Sequence, residues 1–361
     1  MKDEIKKICN EFAEQKNFSG VCLVKTGKDT VFSKAYGLAH KGFKIPNNTD
    51  TKFDTASVTK TFTAVSILLL IEKGLLDFDD KITDIIDLKG TEIPEDVTIY
   101  NLLTHTSGIA DDADEEAGEK YSDLFINKPN YSLRNTKDFL PQFAYKKPIF
   151  KAGSHVRYNN CAFILLGLAI EKITGQDYRS FVEDNIFKPC SMLDTEFCAM
   201  DEVSENTAEG YYGCYDENNN LIKWKKNIYS YPPIGSPDSG AYTVAADLDK
   251  FIRNLKANMI LNEEYTDLIF SPHCRTAKPF QKWKTVPEAA IRNGYAFEFV
   301  EINGEVFCMR KDGINDGTAA MLSYYPAIDT TVIILCNQDC NIWQMHREIQ
   351  TILYYNCFVN K

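Results

Sequence analysis

Apolar and polar positions change period along this chain, and the changes mark its elements. Val58, Phe62, Val65, Leu68, Leu69 and Ile71 recur at three- and four-residue spacing and run into Lys73-Gly74, which predicts a helix that opens beside Ser57 and stops at a glycine. Ahead of it, residues 1–12 scatter charges among Ile5, Ile8 and Phe12, the pattern of an amphipathic helix. Residues 19–32 read as two strands joined by a glycine-containing turn, with Tyr36-Gly37-Leu38-Ala39 closing the second. Val97 to Ile109 reads as a helix ending in a polar turn at Gly108, and a polar turn over 151–162 leads into an apolar helix from Phe163 to Ile173. Residues 234–251 form a Gly/Pro/Ser turn capped into a helix, with Thr243 and Asp247 near its start. From Asn293 the period shortens to strand character over 294–301, 305–311, 318–325 and 330–336, with an Asn303-Gly304 hairpin turn, and a last helix spans roughly 341–357.

These elements predict an α/β (α+β) fold: an antiparallel sheet flanked by N- and C-terminal helices, with a large, mostly helical inserted domain. The expected division is residues 1–54 and 285–361 for the sheet domain and 55–284 for the helical one. Residues 111–154, acidic at first and then rich in Asn, Pro, Lys and aromatics, are expected to form a partly helical lid beside a pocket.

Composition narrows the possibilities. The 361 residues, 44% hydrophobic and 25% charged, can bury a sizeable core. A net charge of −11 argues against a broad nucleic-acid or anionic-membrane surface, so any anion site has to be a local basic pocket. Ala64 to Ile71 is too short to span a bilayer, and the N-terminus shows no secretory signal. The expectation is therefore no transmembrane segment and a cytoplasmic chain as given, with export compatible only with a leader removed. The eleven cysteines include no Cys-x-x-Cys pair and no zinc-ligand spacing, and they read as reduced, mostly buried thiols. Cys336 and Cys340 come nearest to a metal pair but lack partners. Leu75 to Ile82 is acidic yet lacks the glycine and glutamate of an EF-hand loop.

The candidate chemistry centres on Ser57. A serine hydroxyl needs a neighbour to take its proton, and a lysine can do so when desolvation or nearby positive charge lowers its pKa. Lys60 lies one helical turn on, no other serine has a lysine at that spacing, and the helix N-terminus favours negative charge beside Ser57. Taken alone the pair also fits an N-capping serine and a solvated lysine. Tyr158 fits either a half-buried aromatic or, near cations, a general base, and Asn160 is placed to meet a substrate carbonyl. Lys311 offers a cation to a substrate carboxylate and Gly313 a close approach to an edge strand, although a charged edge and turn explain them equally. His105 and Ser107 do not make a Ser/His pair, since residues two apart rarely face each other in a helix, and no Gly-x-Ser-x-Gly elbow occurs.

Four stretches in one order, Ser57-Val58-Thr59-Lys60, His105-Thr106-Ser107-Gly108, Tyr158-Asn159-Asn160 and Lys311-Asp312-Gly313 with Gly317, resemble the serine β-lactamase and penicillin-binding-protein superfamily. Within it, the chain is similar to the branch holding class C β-lactamases, D,D-carboxypeptidases and related esterases. The resemblance covers most of the chain outside the lid and implies a β-lactamase/transpeptidase-like fold. It implies Ser57 as the acylated nucleophile, Lys60 as its proton acceptor and Tyr158 as the base and acid that serves the leaving group. Asn160, Lys311 and Gly313 would bind substrate, and the backbone N–H groups of Ser57 and Ile314 would form the oxyanion hole. His105 to Gly108 would shape the fold. Two positions depart from the family's usual text: Asn159 stands where Ser is usual, implying altered proton transfer, and Asp312 stands where a small hydroxyl is common, implying weaker recognition of a substrate carboxylate, while Lys311, where many esterase-like relatives have His, leans the other way.

The function so implied is hydrolysis of a lactam, amide or ester carbonyl through an acyl-enzyme, with no metal or cofactor and a small molecule or short peptide as substrate. The competing reading is a penicillin-binding receptor or assembly protein with slow or no turnover.

Overall fold

Strands apolar at successive positions need cover on both faces. The computed structural model, which describes residues 1–114, 117–275 and 289–356, provides it. Its main sheet contains β1 (Gly20–Thr26), β2 (Asp29–Tyr36), β3 (Cys274–Arg275), β4 (Ala289–Asn293), β5 (Glu298–Ile302), β6 (Glu305–Asn315), β7 (Thr318–Tyr325) and β8 (Thr330–Cys336). They pair antiparallel in the order β2-β1-β8-β7-β6-β5-β4-β3, so a strand from the start of the chain joins one from its end in register from Gly20↔Cys336 to Thr26↔Thr330.

On one face Cys22, Val24, Met321 and Ile334 pack against Ile5 and Phe12 of α1 (Lys2–Gln15) and, from the last helix (Ile342–Tyr354), against Met345 and Ile349. On the other, Val21, Leu23, Leu322, Ile333 and Leu335 join a continuous core with the helical part of the molecule. That part contains α2 (Lys60–Glu72), α3 (Cys161–Thr174) and α4 (Ala245–Lys256); we label the C-terminal helix α5. Residues 60–71 of α2 are all buried, as an all-round apolar helix requires, and Phe62 meets Phe187 and Phe251 edge-on at 5.0 and 4.9 Å between ring centres.

Most expected elements occur, with differences of physical origin. Gly294 lies in a turn, where its N–H donates to the Phe297 carbonyl, so the expected strand over 294–301 begins only at Glu298. The strand expected to end at Lys311 continues to Asn315 because Lys311 to Asn315 pair with β7, which puts Lys311-Asp312-Gly313 in the strand and not in a connection. Asn303 and Gly304, at φ 55° and 86°, make the expected hairpin turn. A hairpin over Tyr211–Tyr215 and Leu221–Lys226 had no clear alternation to announce it. Among the described residues of the lid region, structure is confined to short helical turns such as Tyr121–Phe125 and Leu140–Phe143. The expected boundary at residues 284 and 285 and the helix end at Cys357 lie outside the described residues. None of the ten described cysteines is in a disulfide, and most are buried.

Two features bring the sheet to Ser57. The strand Phe53–Asp54 pairs with Tyr242–Thr243, and the Thr318 hydroxyl donates to the carbonyls of Asp54 and Cys336, 3.1 Å each, tying that strand to β7 and β8. Beside it, β6 runs so close to the Ser57 turn that a Cβ on Gly313 would stand 2.4 Å from the Thr55 carbonyl oxygen and 2.6 Å from the Ser57 nitrogen. Both obstacles are backbone and cannot swing aside. Gly313→Ala is expected to destabilise the protein by about 1–3 kcal/mol in urea denaturation and to slow labelling of Ser57 by an acylating probe; unchanged stability and labelling would contradict this packing.

Candidate active site

Ser57 sits in a single tight turn, Ala56–Thr59, that leads directly into α2. The turn depends on its neighbours. Ala56 is held at φ 45°, a left-handed conformation an alanine rarely adopts, and its N–H donates to Asp54 Oδ1 at 2.7 Å. The Thr59 hydroxyl donates to the Ala56 carbonyl at 2.7 Å, while the Thr55 hydroxyl donates to the Ala241 carbonyl at 2.8 Å. The turn is thus clamped to the 240–241 loop on one side and to β6 on the other.

One turn into the helix, Lys60 is wholly buried and its Nζ makes three contacts: Ser57 Oγ at 3.1 Å, Asn160 Oδ1 at 2.8 Å and the Asp238 carbonyl at 2.7 Å. Three acceptors match the three protons of an ammonium; in the neutral amine two donate and the lone pair faces the remaining group. Burial, opposed by the charge of Asp238 and reinforced by that of Lys311, lowers the Lys60 pKa to about 8. Appreciable neutral amine therefore exists near neutrality.

Tyr158 reaches Ser57 from the other side, its hydroxyl donating to Ser57 Oγ at 2.8 Å. Its phenol pKa is driven well above the ordinary range by burial; the bond to Ser57 opposes this, and the charges of Asp312, Asp238 and Asp111 add to it. The resting group is a phenol. Nearby cations do not reverse this, although the ammonium groups of Lys311 and Lys60 stand 4.6 and 5.1 Å from the ring centre. Burial thus acts oppositely on the two groups, lowering the pKa of Lys60 and raising that of Tyr158.

The loop carrying Tyr158 is fixed from below. Asp111 accepts the N–H of Asn160 and of Cys161 at the start of α3, at 3.0 to 3.1 Å. His105, at φ 59°, accepts the Asn159 N–H on Nδ1 at 3.2 Å, and its ring lies 4.7 Å from that of Tyr158. The His-Thr-Ser-Gly stretch therefore supports the loop. Asn159 is buried and occupied: its Nδ2 donates to the Ile109 carbonyl at 3.0 Å and its Oδ1 accepts the Ala162 N–H at 2.7 Å. Both of its polar side-chain atoms are thus engaged in holding the start of α3.

Ser57, Tyr158, Asn160, Lys311, Gly313 and Ile314 all line a cavity of about 980 Å³. Beyond Arg310, the last β6 residue paired with β5, the β6 edge borders this cavity; the Ile314 side chain is exposed, and the Gly313–Ile314 peptide lies against the Ser57 turn. Asp111, Asp112 and Cys161 are the one trio among the described residues whose ligand atoms lie within 4.8 Å of one another. Burial first, then mutual repulsion among the acids, raises the pKa of Asp112 and Cys161 well above normal, so a cation binding there would have to displace their protons. The set fits a polar support for α3 better than a cation site.

Sequence reasoning missed Asp111, assigned to the lid, and the Asp238 carbonyl, which lay in a turn readable as scaffold. No sequence signal marks a backbone carbonyl as a lysine's partner; an acid just after Gly108 was the only hint of the former.

The family model described as Beta-lactamase matches residues 5–354. Penicillin-binding protein 4* of Bacillus subtilis is 28% identical over 268 residues, 72% of this chain and 57% of that protein. The chain spans about six tenths of the length of the curated relatives it matches. Among solved structures, a penicillin binding protein from Bacillus halodurans aligns at a TM-score of 0.87 and 33% identity, covering 96% of this chain and 99% of that one. A class C β-lactamase aligns at 0.73 over 100% of this chain and 97% of its own, with 19% identity, a likeness of fold alone. No helix among the described residues is long and apolar enough to cross a membrane. By the family match and the shared fold, the chain belongs to the Beta-lactamase family.

Proposed function

We propose that this protein is a serine acyl hydrolase that attacks a lactam, amide or ester carbonyl with Ser57 and needs no metal or cofactor. The observation that carries the reading is the double contact on Ser57 Oγ, from Lys60 Nζ at 3.1 Å and Tyr158 Oη at 2.8 Å, beside an open cavity. Likeness to penicillin-binding proteins supports a β-lactam as the first probe.

In this reading neutral Lys60 keeps its bonds to Asn160 and Asp238 and takes the Ser57 proton on its lone pair as Oγ attacks the carbonyl carbon. The N–H groups of Ser57 and Ile314 hold the oxyanion. Since Asn160 Oδ1 is engaged by Lys60, its Nδ2 is the atom left to donate to a substrate carbonyl. Tyr158 gives its proton to the leaving group and regains one from the Lys60 ammonium, with Lys311 stabilising the transient phenolate across the ring. Deacylation repeats the relay with water in place of the leaving group.

The test is to incubate the protein with a cephalosporin, a small ester and a D-Ala-D-Ala peptide, following product and intact mass, with Ser57→Ala as control. Multiple turnovers lost in Ser57→Ala support the hydrolase; a stable Ser57 adduct without product would make it a receptor, and neither adduct nor product would refute both. Because Lys60 acts as the neutral amine, single-turnover acylation is expected to rise about tenfold per pH unit below pH 8 and level off above it. A flat profile from pH 6 to 9 would remove Lys60 from the role. Tyr158→Phe is expected to slow acylation about 10²–10⁴-fold, read by rapid-quench mass spectrometry; a smaller loss with an amide than with an activated ester would contradict leaving-group protonation.

A further inference from the structure

Charge around the cavity is unevenly balanced. Of its basic residues, the exposed Lys120 stands in the lid region, Arg157 pairs with Asp114, and Arg310 donates to Glu298 Oε2 from Nε at 3.2 Å and Nη2 at 3.1 Å. Lys311 faces the Ser57 side of β6, with its ammonium over the Tyr158 ring. The next residue, Asp312, projects from the opposite face of the strand, where its Oδ2 accepts the indole N–H of Trp343 on α5 at 2.6 Å. Alternation would separate two such residues in a covered sheet. Here the cavity wraps the β6 edge past Arg310, and Lys311, Asp312 and Trp343 all line it.

The Asp312 carboxyl is ionised at neutral pH. Burial pushes its pKa up, but Lys311, the Trp343 N–H and Arg310 outweigh that and hold it below the usual carboxylate range. A fixed negative charge therefore stands one residue from the cation beside the reaction centre. Asp238, whose Oδ1 accepts the Ser236 hydroxyl at 2.7 Å, and the exposed Asp316 add further acid to the same lining. Asp312 offsets the attraction that Lys311 alone would give an anion entering along β6, while a neutral amide or ester loses nothing and an amine gains.

We propose that Asp312 sets the substrate class of this site: acyl compounds whose group lying along the β6 edge is neutral or cationic, such as capped amides, esters and amine-bearing peptides, in preference to those carrying a free carboxylate there. This rests on the acyl-hydrolase reading above and names its specificity.

The test compares a D-Ala-D-Ala peptide with a free C-terminal carboxylate against its C-terminal methylamide, in wild type and in Asp312→Asn, which keeps an oxygen for Trp343. Wild type is expected to favour the amide in kcat/KM by at least tenfold, and Asp312→Asn to move the ratio toward the carboxylate by at least tenfold. An unmoved ratio, or a wild type that prefers the carboxylate, would overturn the proposal. Trp343→Phe removes the hydrogen bond and keeps the charge; a ratio shift as large as that of Asp312→Asn would make packing the cause and also overturn it. The same ligands are then titrated calorimetrically into Ser57→Ala and Ser57→Ala/Asp312→Asn, where the Kd ratio needs no turnover. A shifted Kd ratio in a protein that turns over neither these peptides nor the cephalosporin and ester refutes hydrolysis and keeps the Asp312 assignment; turnover with unshifted ratios refutes the assignment and keeps hydrolysis.

Discussion

An ammonium ion buried among apolar helices is the constraint on which the rest of this molecule depends. Lys60 lies in a helix with no exposed side through residue 71, and removing its charge from water is tolerable only with every proton matched. The matches come from three places in the chain: Ser57 in the preceding turn, Asn160 at the start of α3 and the Asp238 carbonyl in the loop before α4. Each partner must be held in turn, which accounts for Asp111 beneath Asn160 and Thr55 and Thr59 bracing the 240–241 loop. The same burial that makes the lysine expensive to place lowers its proton affinity. Structural strain and chemical readiness have one origin here.

The sheet contributes closeness. A backbone without a Cβ at Gly313 lets β6 lie against the Ser57 turn, and Thr318 locks the strand before that turn to two others. Where β6 outruns β5, its edge and both of its faces border one cavity, so side chains that alternation normally separates share a single electrostatic environment. Asp312 and Lys311 owe their joint influence to that edge.

Much of this was legible in the sequence because it rests on local rules. Ser57 and Lys60 are one helical turn apart, the Asn303-Gly304 turn needs positive φ, and β1, β7 and β8 are apolar at successive positions because both faces are covered. What escaped is what pattern cannot encode. The length of β6 is set by its pairing with β7 and not by its own residues, so the strand read as ending at Lys311, with Asp312 and Gly313 as the turn after it. Asn159 read as a departure that alters proton transfer, and no spacing announced that its side chain accepts the Ala162 N–H at the start of α3. Likewise, the order of proton affinities between Lys60 and Tyr158 depends on burial, which no spacing reveals.

The pairing of β1 with β8 has a consequence for biosynthesis. Residue 20 cannot find its partner until residue 336 has been made, so the centre of the sheet closes only after the strand at 330–336 has left the ribosome. Until then α1 and β1 have no α5 beside them, and the strands destined to brace Ser57 are absent. A nascent chain stalled short of that point carries Ser57 and Lys60 yet lacks the wall that organises them, and its apolar strand edges stand unpaired.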